Sequence, residues 1–372
     1  MKLTRLSSVA ALGAVAALTL AGCAANEGGS TTDASADATA SASSLSGTIE
    51  ATGASSQEAA QQAWVAGFQT ANPDATVNYT STGSGTGREN FQSGSSNFIG
   101  SDRAFTTDEI ADQGTFGSCS EAGIVEVPAY ISPVAVAFNL PGIDTLNLDG
   151  ETIAKIFAGE ITTWNDDAIA SQNDGVDLPD TAITPVHRAD ASGTQETFTT
   201  YLAAVAPDVW TWEESDEWPS DLGGESGDGT SGVVSSITQG EGTIGFADAS
   251  QAGDLGQVAI EVNGEYVPYS ADAAAALVAA SPLEEGREAD DLVFAVDPAN
   301  APDGSYPIAL VSYLIGCTNY ADADTAALVK AYFQYVVSAD GQAAGADAAG
   351  NAPLSDDLRE QVLTAIDAIV TE

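Results

Sequence analysis

A chain of 372 residues with 44% hydrophobic residues is long enough for two ordinary domains, each with its own core. Its charge is lopsided, 54 acidic against 9 basic residues for a net of -45, which argues against nucleic acid as a partner and against electrostatic adhesion to an anionic membrane surface. An anion site survives that excess, because exposed charges beyond about 8–10 Å are largely screened at physiological salt and a local nest of donors decides.

Lys2 and Arg5 precede an apolar run over 9–20 that ends Leu18-Thr19-Leu20-Ala21-Gly22-Cys23. The run is too short to span a bilayer and reads as the core of a secretory signal peptide over 1–22. Its closing residues resemble the lipobox of bacterial lipoproteins, which would make Cys23 a lipid anchor; a plain signal peptide with an incidental cysteine is the alternative. Residues 23–46 are Ser, Thr, Ala, Asp and Gly with almost no large apolar side chain, the composition of a flexible linker. Export implies an oxidising compartment, so the remaining pair, Cys119 and Cys317, is expected to be bonded.

Order begins with a strand over 47–53 that leads into Ala54-Ser55-Ser56-Gln57 and a helix carrying Ala60, Ala63, Trp64, Val65 and Phe68 on one side. A second strand over 77–80 runs into Ser81-Thr82-Gly83-Ser84-Gly85-Thr86-Gly87-Arg88. That Gly-rich turn lacks the Gly-Lys-Ser/Thr of a nucleotide P-loop and does not fit the dinucleotide fingerprint. A third strand over 98–103 presents Asp102 at its end. Strands over 124–127 and 134–138, separated by Pro128 and Pro133, suit a crossing between domains. Helices are expected over 148–157 and from Trp164, then a strand to Val186. Residues 213–232 read as an acidic loop with a Gly-rich helix start at Gly229-Thr230-Ser231-Gly232, followed by a strand over 242–247. An Ala-rich helix near 271–280, a return strand over 306–314 and helices over 322–338 and 355–370 complete an α/β chain with largely parallel sheets.

His187-Arg188-Ala189-Asp190-Ala191-Ser192-Gly193-Thr194 lies where a strand turns into a helix carrying Phe198, Tyr201, Leu202 and Val205. The first N–H groups of such a helix have no partners inside it, so an anion is a natural ligand; Ser192 and Thr194 add hydroxyls and Arg188 a planar fork. A Ser-capped helix beside a surface Arg reads equally well from these residues alone. Catalytic machinery is hard to assemble: His187 is the single histidine and reads as a strand-end residue, and no Gly-x-Ser-x-Gly elbow or metal-type His/Cys spacing exists. Carboxylates are too abundant for any pair to be informative. What recurs is an uncharged donor cluster at a helix start, at Ser55/Ser56, at Ser84 and at Ser192-Gly193-Thr194.

These segments carry a resemblance. Thr52-Gly53-Ala54-Ser55-Ser56, Asn78 to Gly85, Phe98-Ile99-Gly100-Ser101-Asp102, Phe138-Asn139-Leu140-Pro141-Gly142, Leu148 to Phe157, Ile161 to Asp166 and His187 to Thr194 resemble the phosphate-binding lipoproteins of bacterial phosphate-specific ABC transporters. The resemblance covers roughly 47–340. It implies a two-domain periplasmic-binding-protein-like α/β fold with a ligand cleft between domains joined by two hinge crossings, 47–130 with 308–372 forming one domain and 131–307 the other. It implies phosphate ligands at Ser55, Ser56, Ser84, Asp102, Arg188, Ser192, Gly193 and Thr194, with Asp190 supporting Arg188; many relatives have Thr-Phe-Pro where this chain has Ser55-Ser56-Gln57. Arg103 is read as structural. The implied function is capture of inorganic phosphate outside the cytoplasm and delivery to membrane permease subunits, by a lipid-anchored monomer with no catalysis, cofactor, metal or nucleic acid. Sulfate or molybdate as the ligand, a phosphatase and a surface adhesin are the alternatives.

Overall fold

The computed structural model describes residues 45–371. The expected signal peptide, the Cys23 anchor and nearly all of the linker lie outside the described residues. In chain order the elements are β1 (Gly47–Gly53), α1 (Glu58–Ala71), β2 (Ala75–Ser81), α2 (Ser84–Ser93), β3 (Phe98–Ser101), α3 (Thr107–Gln113), β4 (Ile124–Phe138), β5 (Thr145–Leu148), α4 (Gly150–Phe157), α5 (Asp167–Ala170), β6 (Thr184–Arg188) and α6 (Gly193–Val205). They continue with β7 (Glu225–Gly227), α7 (Gly229–Gln239), β8 (Thr243–Asp248), α8 (Ala249–Ala252), β9 (Gly256–Val262), β10 (Glu265–Val267), α9 (Ala271–Ala280), β11 (Ala309–Cys317), α10 (Ala323–Val336), α11 (Ala339–Ala349) and α12 (Asp356–Ile366). No described helix is long and apolar enough to cross a membrane.

The strands hydrogen-bond in the order β2-β1-β3-β11-β4-β8-β6-β7, with β5, β9 and β10 attached beside β4. The sheet is mixed rather than largely parallel: β1 runs parallel to β2 and β3, and β6 parallel to β7 and β8, but β4 and β11 are antiparallel to each other and to their outer neighbours. These two central strands are buried along their whole length, which is why they read as near-continuous apolar runs.

The expected break at Pro128 and Pro133 does not occur; 124–138 is one strand. Proline offers no N–H to a ladder, and the fold puts both where that loss is tolerated. Pairing with β11 shifts between Ser312 and Tyr313, so that Pro128 faces Tyr313 and Tyr130 faces Ser312 across a bulge at Ala129. Pro133 is the last residue paired with β11, and Val134 the first paired with β8. The prolines therefore mark a change of partner within one strand.

Other boundaries move for local reasons. The helix expected from 148 begins at Gly150 because Asp149 caps it through the Thr152 N–H, while Leu148 belongs to β5. The return strand runs over 309–317 rather than 306–314, β7 interrupts the expected 213–232 loop, and the last helix is shorter than 355–370. Helix α11 falls between the two expected helices, in a segment that contains Gly341 and Gly345. A Cβ on Gly341 would lie 2.1 Å from the Tyr335 carbonyl oxygen and one on Gly345 2.9 Å from Trp64 Nε1. Gly341 thus lets α11 close on the end of α10 and Gly345 lets it lie against α1, where the Trp64 indole donates to the Gly341 carbonyl at 2.7 Å. The expected disulfide is present: Cys119 and Cys317 are bonded, with Cα atoms 5.3 Å apart.

Packing follows the aromatics. Phe98 stacks near Tyr332 and Phe333 under β1 and β3, Phe91, Phe105 and Phe116 cluster beside α2, and Phe157, Phe198 and Phe246 fill the space between α4, α6 and β8. All are buried, each contributing roughly 1.5–3 kcal/mol of transfer free energy.

One core acid works against stability. Asp248 is fully buried at the end of β8; its Oδ1 accepts from Tyr130 Oη and the Ser250 N–H, each at 2.9 Å, but its Oδ2 has no partner among the described residues. Burial pushes the carboxyl up to about 6 despite those bonds. A folded pKa above the unfolded one means that the cost of burying the charge is full above about pH 6 and relieved as pH falls toward about 4. Asp248→Asn is expected to stabilise the protein by about 1–3 kcal/mol at pH 8 and to lose most of that gain near pH 4. Denaturant unfolding at both pH values checks this; equal effects at the two would sink it.

Candidate functional site

The donor clusters converge. Ser55 and Ser56 lie between β1 and α1, Ser84 opens α2, Asp102 follows β3, and Arg188 ends β6 just before α6. All are buried, as are Ser192 and Thr194. The Ser56 and Ser312 hydroxyls donate to Asp102 Oδ1 at 2.5 and 2.6 Å, the Thr194 hydroxyl donates to Oδ2 at 2.8 Å, and the Asp102 N–H donates to Ser84 Oγ at 3.0 Å. A carboxylate has about four acceptor directions, so these hydroxyls leave one unfilled.

Arg188 is held from the other side. Its Nε donates to Asp190 Oδ1 at 2.8 Å, its Nη2 to Asp190 Oδ2, and its Nη1 to Ser192 Oγ. Asp190 Oδ1 also accepts the Gly229 N–H at 3.0 Å, fixing the fork against the start of α7. The expected Asp190–Arg188 pair is thus present. A guanidinium has five N–H donors, and the unused ones remain for a ligand. Ser192 is the N-cap of α6, accepting from the Gln195 N–H, so the Gly193 and Thr194 amides sit at the positive end of a helix.

Backbone meets backbone here, and glycine is the reason. A Cβ on Gly85 would lie 2.4 Å from Ala191 Cβ, and one on Gly193 2.6 Å from Asp102 Cβ. Gly83 has φ 85°, and a Cβ there would stand 2.3 Å from Asp190 Oδ2. The Gly85 N–H donates to the Ala191 carbonyl at 3.1 Å. The Gly-rich turn at 83–87 thus brings α2 against the 188–194 turn.

Sequence reasoning left several participants unassigned. Thr230 Oγ1 and Ser55 Oγ are 3.0 Å apart, and the Thr230 N–H donates to Ser55 Oγ at 3.1 Å; the Gly-rich helix start at 229–232 was its signal. Ser312 is the one serine inside an apolar strand, and Gln57 Nε2 donates to it at 2.6 Å. Arg88 is buried with Nη2 2.6 Å from Asp216 Oδ2 and Nη1 3.3 Å from Ser101 Oγ. Burial, then the charge of Arg103, lowers its pKa.

Arg103 makes a bidentate pair with Glu109 at 2.6 and 2.9 Å, in keeping with a structural role. Burial alone would raise the Glu109 carboxyl, but the bonds from Arg103 and the Thr106 N–H hold it at about 2. Arg103 Nε also lies 3.1 Å from Glu196 Oε2, a charge contact without hydrogen-bond alignment, and burial pushes Glu196 up to about 7. His187 is half-buried at the end of β6 and stacks on Trp218 with ring centroids 4.8 Å apart. A cleft of ≈ 340 Å³ flanks the cluster, touching Asp102 and Gly193 and running past Arg103, Glu196 and Arg287. Arg103 and Arg287 line this cleft, while Arg88 and Arg188 are paired with Asp216 and Asp190.

A family model described as a PBP superfamily domain matches residues 37–340. Phosphate-binding protein PstS 3 of Mycobacterium tuberculosis (strain ATCC 25618 / H37Rv) is 33% identical over 382 residues, covering 99% of this chain and 100% of the relative. The chain belongs to the PBP superfamily and, within it, to the PstS family. PstS 2 of the same strain is 30% identical over 375 residues, again with 99% and 100% coverage. Among solved structures, a high affinity periplasmic phosphate-binding protein (PfluDING) bound with phosphate has a TM-score of 0.70 at 22% identity, over 86% of this chain and 93% of that one. A phosphate-binding protein from Stenotrophomonas maltophilia has a TM-score of 0.67 at 19% identity, over 86% and 93%. At those identities the structures speak for the fold, which is the one expected of a PstS-family chain.

Proposed function

We propose that this PstS-family chain captures inorganic phosphate outside the cytoplasm and delivers it to the permease subunits of an ABC transporter. The observation that carries the reading is the convergence of Ser56, Ser84 and Thr194 on Asp102, with Arg188 held against the Ser192 cap of the same turn and Ser55, next to Ser56, bonded to Thr230. Residues 47–130 with 308–372 form one lobe and 131–307 the other, joined through β4 and β11. Ser55, Ser56, Ser84 and Asp102 belong to the first, Arg188, Ser192, Gly193 and Thr194 to the second, and hinge closure brings them onto the anion.

A hydroxyl has one hydrogen, so Ser56 and Thr194 cannot donate to Asp102 and to a ligand at once. Phosphate in its monohydrogen form resolves this: the hydroxyls turn to its oxygens while its own proton goes to Asp102. Sulfate carries no such proton at neutral pH and would face the carboxylate unpaired. Capture is binding without chemistry, by a monomer. A signal peptide over 1–22, lipidation at Cys23 and a linker over 23–46 would hold the binding unit at the outer face of the cell membrane.

Calorimetric titration with phosphate, sulfate and molybdate, with a turnover assay on a phosphate ester, tests the reading. Tight phosphate binding with weak sulfate and molybdate binding and no turnover is expected. Preference for either other oxyanion, or ester hydrolysis, would overturn it.

A further inference from the structure

We propose that Arg88 and Asp216 form a latch across the cleft that sets how long the bound anion is held, with Arg103 and Glu196 as a weaker second pair. This rests on the reading of two lobes closing on phosphate. The polarity is consistent: both arginines lie in 47–130 and both acids in 131–307. Arg88 and Asp216 are 2.6 Å apart, with side chains only 6% and 23% exposed. Among the described residues Asp216 is the one carboxylate hydrogen-bonded to Arg88. Arg103, by contrast, keeps Glu109 on its own side whatever Glu196 does.

Asp216 is more than a counter-charge. Its carbonyl accepts the Ser192 N–H at 2.9 Å and Gln195 Nε2 at 2.8 Å, so it braces the first turn of α6, where the donors sit. Arg88 reaches on its other side to Ser101, the residue before Asp102. The pair thus joins the backs of the two donor groups. Two residues beyond Asp216, Trp218 stacks on His187, the neighbour of Arg188, which pins the segment carrying the acid. Arg88 and Asp216 are positioning residues in this scheme: separating the lobes would strip a largely buried guanidinium of its carboxylate, and that penalty falls on opening.

Stopped-flow phosphate binding to the full chain, with Arg88→Met, Asp216→Asn and the double variant, tests the latch. Each single change is expected to speed phosphate dissociation about tenfold or more while association changes less than about threefold. The double variant should resemble a single one, since both remove the same pair. Phosphate over sulfate preference should stay as in wild type, which a disturbed Asp102 would not allow. Wild-type dissociation rates in the single variants, or effects that simply multiply, overturn the latch. Should Arg88→Met fail to fold, Asp216→Asn carries the test, its side chain being the more exposed of the two. Wild-type protein that binds no phosphate overturns the functional reading instead. The latch is then judged by small-angle scattering, where an enlarged radius of gyration for Asp216→Asn supports it and an unchanged one overturns it.

Discussion

Replacing Arg188 with alanine is expected to weaken phosphate binding by about a hundredfold to several thousandfold, the equivalent of about 3–5 kcal/mol. The estimate follows from its setting. Arg188 is the buried guanidinium in contact with the Ser192 cap, and two of its nitrogens are oriented by Asp190. Its removal takes away a positive charge and leaves Asp190 beside the anion with only the Gly229 amide to offset it. Arg188→Lys should recover only part of the loss, because an ammonium on a flexible stem cannot bridge Asp190 and Ser192 in one plane. Titration calorimetry on both variants reads the effect, with thermal melting as a control for folding. Near wild-type affinity in Arg188→Ala would take Arg188 out of the site.

The second large effect concerns selectivity. Asp102→Asn is expected to reduce the preference for phosphate over sulfate by about two orders of magnitude, through a gain in sulfate binding as well as a loss for phosphate. Asp102 accepts from Ser56, Ser312 and Thr194 and has one direction free for the ligand's proton. An asparagine side chain presents a donor in place of one oxygen, which suits a fully ionised oxyanion and collides with a hydroxyl. Competition titration measures the ratio, and an unchanged ratio would remove Asp102 as the discriminating group.

The sequence was most informative where backbone chemistry is local. Ser192 before Gly193-Thr194 announced a capped helix, and the Asp190–Arg188 pair could be anticipated from two residues two positions apart. The expected Cys119–Cys317 bond followed from compartment and parity alone. Less was legible where long-range contact decides. Arg88 was only the last residue of a Gly-rich turn, and Asp216 one acid among many in a loop; only the fold makes them a pair. Ser312 was hidden in an apolar strand, and α11 was hidden by Gly341 and Gly345, which fit against the end of α10 and against Trp64. Pro128 and Pro133 misled for a related reason: a register shift and a change of partner can absorb a proline that local rules treat as a break.

The disulfide has a mechanical consequence. Cys317 ends β11, where it is paired with Ile124 at the start of β4, and the bond to Cys119 fastens that end of both strands to the segment preceding β4. The two longest strands are thus riveted together at one end, and at the other β4 leaves β11 for β8 beside Pro133. In the proposed closure the end tied by the disulfide moves as one piece with its own lobe, so rotation between the lobes would be taken up toward the other end of the pair, near residues 133–134 and 308–309.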